Sequence, residues 1–153
     1  MRSQASKRIF ALILMLAAVT AAFLLLQRKQ PSPTEVVEQY FAYWNEKDTA
    51  KQNTLVAERI RSAGTDEEYL EYVHLLSCDE ETRQDKLDEE LERIKNSWEP
   101  DASYAAVVYV TCDIKYTDNA LRTNGLENDT YYWTFWLARQ TKNEPWVIVD
   151  YGV

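Results

Sequence analysis

The chain has 153 residues, 25 acidic and 17 basic, with one histidine, two cysteines and three glycines. All the acidic residues follow Pro33, while Arg2, Lys7, Arg8, Arg28 and Lys29 precede it; the remainder holds 12 basic against 25 acidic residues, a net of −13. A body of that charge is repelled by phosphate backbones and by anionic lipid surfaces, which excludes nucleic acid as a partner.

Ile9 to Leu26 is a run of 18 residues, apolar apart from Thr20. At helical rise it spans about 27 Å, close to the bilayer hydrocarbon. The length favours an uncleaved transmembrane anchor at 9–26, behind a cytoplasmic basic flank at 1–8. The rival reading is a cleaved signal peptide, whose apolar core is ~7–15 residues and whose small-x-small site is only half matched by Thr20-Ala21-Ala22. No cysteine stands near the run, which argues against lipoprotein processing. On either reading the acidic domain ends up outside the cytoplasm. It is held at the cell membrane by a single pass, or secreted if the segment is removed.

Residues 27–32 form a short linker, and 33–153 the domain. Ser32-Pro33-Thr34-Glu35 predicts a helix start with a capping serine, proline in the first turn and a glutamate reaching back. Val36, Val37, Tyr40, Phe41 and Trp44 follow at helical spacing. Asn45 to Asp48 ends this helix, and Asp48 or Thr49 caps a second, carrying Leu55, Val56 and Ile60, that stops at Ser62-Ala63-Gly64. Tyr69 to Cys78 leans to a strand. Leu87, Leu91, Ile94 and Trp98 then define one face of a charged surface helix. Its Asp88-Glu89-Glu90 block lacks the ligand repeat and turn glycine of a calcium loop, and reads as a solvated face.

The last fifty residues read as three antiparallel strands. In the first, Tyr104, Ala106, Val108, Val110, Cys112, Ile114 and Tyr116 share the core face. In the second that face carries Tyr131, Trp133, Phe135 and Leu137. Trp146 to Tyr151 closes the sheet, after a polar excursion from Thr117 to Thr130 that contains Asn124-Gly125. With helices on one face only, Tyr109, Tyr132 and Trp136 stand on an open outer face. They are candidate interface residues or cross-strand aromatic pairs that stabilise a half-wet sheet.

Three stretches, PTEVVEQYFAYWNEKD, VVYVTCDIKYTDN and YYWTFWLARQTKNEPWVIVDYG, carry a resemblance to the nuclear-transport-factor-2-like (cystatin-like) superfamily. More narrowly, they are similar to a family of uncharacterised extracytoplasmic domains on lipoproteins and membrane anchors of Gram-positive bacteria; residues 62–103 match only loosely. The resemblance implies an α+β fold in which an N-terminal transmembrane helix precedes a cone-shaped domain of helices packed on a curved antiparallel sheet. It also implies a pocket inside the cone and dimers through the sheet's outer face. Some relatives are isomerases or dehydratases with a carboxylate or histidine base in the cone.

No catalytic, cofactor-binding or metal position transfers by motif. His74, Asp113 and Asp150 are the groups a lyase or isomerase would need, but Asp113 falls on the outer face. One histidine and two cysteines without paired spacing make no zinc site, and there is no glycine-rich phosphate loop. Tyr40, Trp44, Val108, Val110, Trp133 and Phe135 either line a pocket for a small apolar ligand or are ordinary core. Cys78 and Cys112 lie in strands that could neighbour each other, as a disulfide or as separate buried thiols. The expected function is a non-enzymatic binding or protein-interaction module. A small lyase or isomerase and a homodimerising assembly domain are the alternatives.

Overall fold

The computed structural model describes residues 30–64, 68–118 and 127–152. The expected membrane segment at 9–26 with its flank at 1–8, residues 27–29 of the 27–32 linker and Asn124-Gly125 lie outside them. Among the described residues no helix is long and apolar enough to cross a membrane. The folded unit, Pro31–Val153, is α+β, with helices packed on a four-stranded antiparallel sheet of order β1-β2-β3-β4. Its strands are β1 (Leu70–Glu80), β2 (Tyr104–Tyr116), β3 (Asp129–Arg139) and β4 (Val147–Gly152).

Helix α1 (Pro33–Asn45) begins with the capping box read from the sequence. The Ser32 hydroxyl accepts the Glu35 N–H at 3.2 Å, and the Glu35 carboxylate accepts the Ser32 N–H at 2.6 Å. Val36, Val37, Tyr40 and Phe41 are buried against the sheet. The helix ends in a Schellman-type turn, with Lys47 N–H bonded to the Trp44 carbonyl and Asp48 N–H to that of Tyr43. Lys47 takes the left-handed conformation such a turn demands, φ 56°. Asp48 then caps α2 (Thr49–Gln52) through the Lys51 N–H.

The second helix is shorter than its pattern predicts. After Gln52 the chain straightens, and a single 3-10 turn follows at Glu58–Ile60. The cause lies in β4. Ile148 donates to the Leu55 carbonyl and accepts from the Ala57 N–H, while Val56 bridges Ile148 in parallel. A helix through Leu55 could not satisfy those edge groups of β4. At the opposite edge, Asn45 serves β1 in the same way: its amide accepts the Val73 N–H at 2.7 Å and donates to the Val73 carbonyl at 2.6 Å. Both sheet edges are thus partly covered, which blunts pairing with a foreign strand.

The core face of the sheet is as expected. Val108, Cys112, Phe135, Leu137 and Ile148 are fully buried beneath α1. The other face is not uniformly open, which corrects the single-layer expectation. Helix α3 (Gln84–Ser97) lays Leu91 and Ile94 over one end of it. There, with Trp98, they form a second core with Ala102, Ala105, Trp136, Ala138, Val147 and Val149. The alternation in β2 permits this because Ala105 and Val107 make its second face small and apolar at that end.

Asn45→Ala removes both hydrogen bonds to Val73 and leaves a β1 edge position unpaired. It is expected to lower stability by about 1–2 kcal/mol in urea unfolding, with an unchanged far-ultraviolet circular dichroism spectrum.

Candidate functional site

The residues expected to line a cone pocket are packed against one another. Phe135 is fully buried, with ring centroids 5.5 Å from Tyr40 and 5.6 Å from Phe41. Trp133 stacks between Trp44 at 5.8 Å and Tyr151 at 5.6 Å. Val108 and Val110 are buried below them. The space between α1 and the sheet is thus occupied by aromatic rings in the offset and edge-on contacts they prefer. Burial, and then the neighbouring Tyr151 hydroxyl, pushes the Tyr40 phenol far above its ordinary range. Tyr40 therefore stays protonated and cannot act as a base at neutral pH.

The acid–base candidates are not gathered in a cavity. His74 is exposed on β1 opposite Asp113 of β2. Asp113 accepts the Thr130 hydroxyl at 2.6 Å, and Asp150 pairs with Arg59 at 3.3 Å. The cysteines are free thiols. The register sets Cys78 opposite Val110 and Cys112 opposite Leu75, so they are diagonal rather than facing, and of the two readings left open the structure has the separate thiols. Burial foremost, with acidic neighbours, raises both thiols to about 11, which keeps them protonated and poorly nucleophilic.

The outer face divides into two halves. Under α3, Trp136 lies 6.0 Å from Trp98 with the Arg93 guanidinium 4.4 Å from its ring centroid. The expected trio is therefore split: Trp136 is covered, while Tyr109 and Tyr132 stand 44% and 71% exposed on the uncovered half. Tyr72 and Leu76 of β1 join them at 46% and 50%. These four are the exposed large hydrophobics of the described residues; the three tyrosines share the half-face, and Leu76 stands at the bulge beside Ser77, whose partner Thr111 pairs with Tyr132. Sequence reading missed the two on β1 because that strand's register was undetermined. Leu76 stands where two residues of β1 oppose one of β2, a bulge that alternation alone does not reveal.

The rim of this half-face is acidic. Glu71, Asp79 and Asp113 surround it, and Lys115, the cation of β2, is held by Glu71 at 3.2 Å. Behind Tyr109 sits the buried carboxylate of Glu81. It accepts from the Arg83 guanidinium at 2.7 and 3.1 Å, from the Thr82 and Arg83 N–H groups at 3.0 Å each, and from the Tyr109 hydroxyl at 3.3 Å. The Arg83 side chain foremost, then its backbone N–H, lowers this acid from 4.5 to about 2. Glu81 thereby fixes both the start of α3 and the tilt of Tyr109.

A separate cleft of about 350 Å³ opens at the α3 end of the sheet, where Glu99, Ala102, Ala138, Arg139, Glu144 and Val147 contribute to its lining. Nothing in the sequence pattern marked it, since it arises where small side chains meet beside a turn.

The comparisons with known proteins rest on residues 34–152, which match a family model described as Domain of unknown function (DUF4829). The chain belongs to that family. The match runs from the first turn of α1 to the end of β4, so the DUF4829 unit includes both cores, the open half-face and the cleft. No curated protein and no solved structure matches the chain.

A folded-state acid lowered to about 2 stabilises the DUF4829 domain fully above the ordinary 4.5, and that contribution fades as pH falls towards 2. Glu81→Gln is expected to flatten the dependence of the urea midpoint on pH across this window. Part of it is retained through Asp48, which Lys51 lowers in the same direction.

Proposed function

We propose that this DUF4829 domain is a non-enzymatic protein-interaction module whose working surface is the uncovered half of the outer sheet face. The observation that carries this reading is the convergence of the exposed Tyr72, Tyr109 and Tyr132 on that one half-face, with exposed Leu76 at the bulge beside them. Exposed apolar clusters rimmed by charge are the usual form of a protein contact surface, and tyrosine is favoured at interfaces. The occupant is a protein segment with an apolar centre and basic flanks. Acids border the patch, its lysine is already paired, and the chain beyond Pro33 carries a net of −13. A second copy would set like charges against each other, whereas a basic partner is drawn in.

The wider setting is part of the same proposal. The apolar run at 9–26 is read as a membrane anchor that holds the domain outside the cytoplasm. The likeness to the nuclear-transport-factor-2-like superfamily is read as a shared cone-shaped architecture. The aromatic filling between α1 and the sheet favours surface recognition over ligand capture inside the cone.

The test replaces Tyr132 with the photo-crosslinker p-benzoylphenylalanine in the full-length chain, in cells. Adducts are then mapped by mass spectrometry. The expected adduct is another protein crosslinked through a segment of net positive charge, absent when the probe stands at Glu89 on α3. With that partner purified, Tyr132→Ser and Leu76→Ser are each expected to weaken binding by about 1–2 kcal/mol, and added salt to weaken it further. Adducts only with a second copy of the chain, or adducts equally strong from Glu89, overturn the assignment.

A further inference from the structure

The cleft at the α3 end is separate from the open half-face and from the filled core. Its floor is small and aliphatic, made by Ala102, Ala138, Val147 and Val149. Its walls carry charges of both signs. Arg139 spreads over Trp146 at 4.1 Å and donates from Nη1 to the Lys142 carbonyl at 3.0 Å. Its buried Nε–H has no acceptor among the described residues. Glu144 spends one oxygen, Oε2, on the N–H groups of Gln140 and Thr141. Glu99 adds a second carboxylate to the lining.

These groups set conditions on a ligand. A guanidinium on the lining calls for an anionic acceptor, since charge-assisted hydrogen bonds to carboxylates are the strong ones. Carboxylates on the same lining call for a cation. A simple amine would leave Arg139 unanswered, and a simple carboxylate would meet Glu99 and Glu144 in a chain that is already strongly acidic. A zwitterion satisfies both and carries no net charge. The volume lies at the lower end of ligand pockets, about 300–1,000 Å³, which suits one or two residues and excludes a folded epitope.

We propose that the cleft binds an aliphatic α-amino acid, free or at the end of a short peptide. Its carboxylate lies at Arg139, its ammonium at Glu99 and Glu144, and its side chain on Ala138 and Val147. The cleft is then a second recognition site, independent of the docking face.

The experiment is a heteronuclear NMR titration of the full-length chain with L-valine, L-leucine and L-alanyl-L-alanine. Saturable shifts are expected at the N–H groups of Ala102, Ala138 and Val147 and at the Trp146 indole, with none at Leu76 or Tyr132. Glu99→Gln should weaken binding about tenfold while leaving the rest of the spectrum in place. Ala138→Leu, which fills the floor, should abolish it. A dipeptide that binds more tightly than the free amino acids identifies a peptide end as the natural ligand; the reverse order identifies the free amino acid. The proposal is overturned by the absence of saturable shifts up to about 10 mM, a concentration that reaches even weak binding. It is equally overturned if butylamine or butyrate binds as well as L-valine, or if Glu99→Gln binds unchanged.

Discussion

The antiparallel pairing of β2 with β3 runs without a register shift from Tyr104 opposite Arg139 to Ile114 opposite Asp129, and the other elements take their places from it. Side chains alternate strictly along both strands, so this one ladder decides which residue meets which face. It sets Val108 beside Phe135 under α1, Val107 beside Trp136 under α3, and Tyr109 beside Thr134 in the open. A slip of one residue would exchange the core and the outer face along the full length of the slipped strand.

The second face shows how an acidic, aromatic-rich chain closes a core around cations. Arg93 lies between Trp98 at 4.7 Å and Trp136 at 4.4 Å, and Glu90 holds its guanidinium at 2.5 Å. Arg59 lies over the other reach of Trp98 at 5.1 Å and donates to the Val149 carbonyl. Planar guanidinium groups suit such stacking, and each contact contributes on the order of 0.5–2 kcal/mol according to its desolvation. These arginines help tie α3, the 3-10 turn and β4 into one block.

Much of this was legible in the chain. The capping box at Ser32, the stripe from Val36 to Phe41 and the core faces of β2 and β3 all follow from local spacing, while the stretch through His74 only leans to the strand it forms. What escaped depends on partners distant in sequence. The stretch at Leu55–Ala57 has helical spacing but is claimed by the backbone of Ile148. Trp136 looks exposed by alternation until α3, whose charged composition reads as pure surface, is seen to cover it. Tyr109 and Tyr132 were legible as outward aromatics, whereas Tyr72 and Leu76 were not, because a bulge cannot be read before the pairing is known. The cleft was invisible for a related reason: it is a gap between elements and no single residue signals it.

The bulge at Leu76 has one more consequence. Leu75 faces the core and Cys78 faces the core, with Ser77 opposite Thr111 on the outer side. Strict alternation would be restored if the residue between Leu75 and Ser77 were absent. Leu76 is in this sense a supernumerary residue: the strand could be one position shorter and keep its inward and outward assignments on either side. Its principal effect is to add a large aliphatic side chain to a surface that already holds three tyrosines, and to twist the edge of the sheet beneath it. The pairing with β2 closes on both sides of Leu76 without it, Leu75 meeting Cys112 and Ser77 meeting Thr111.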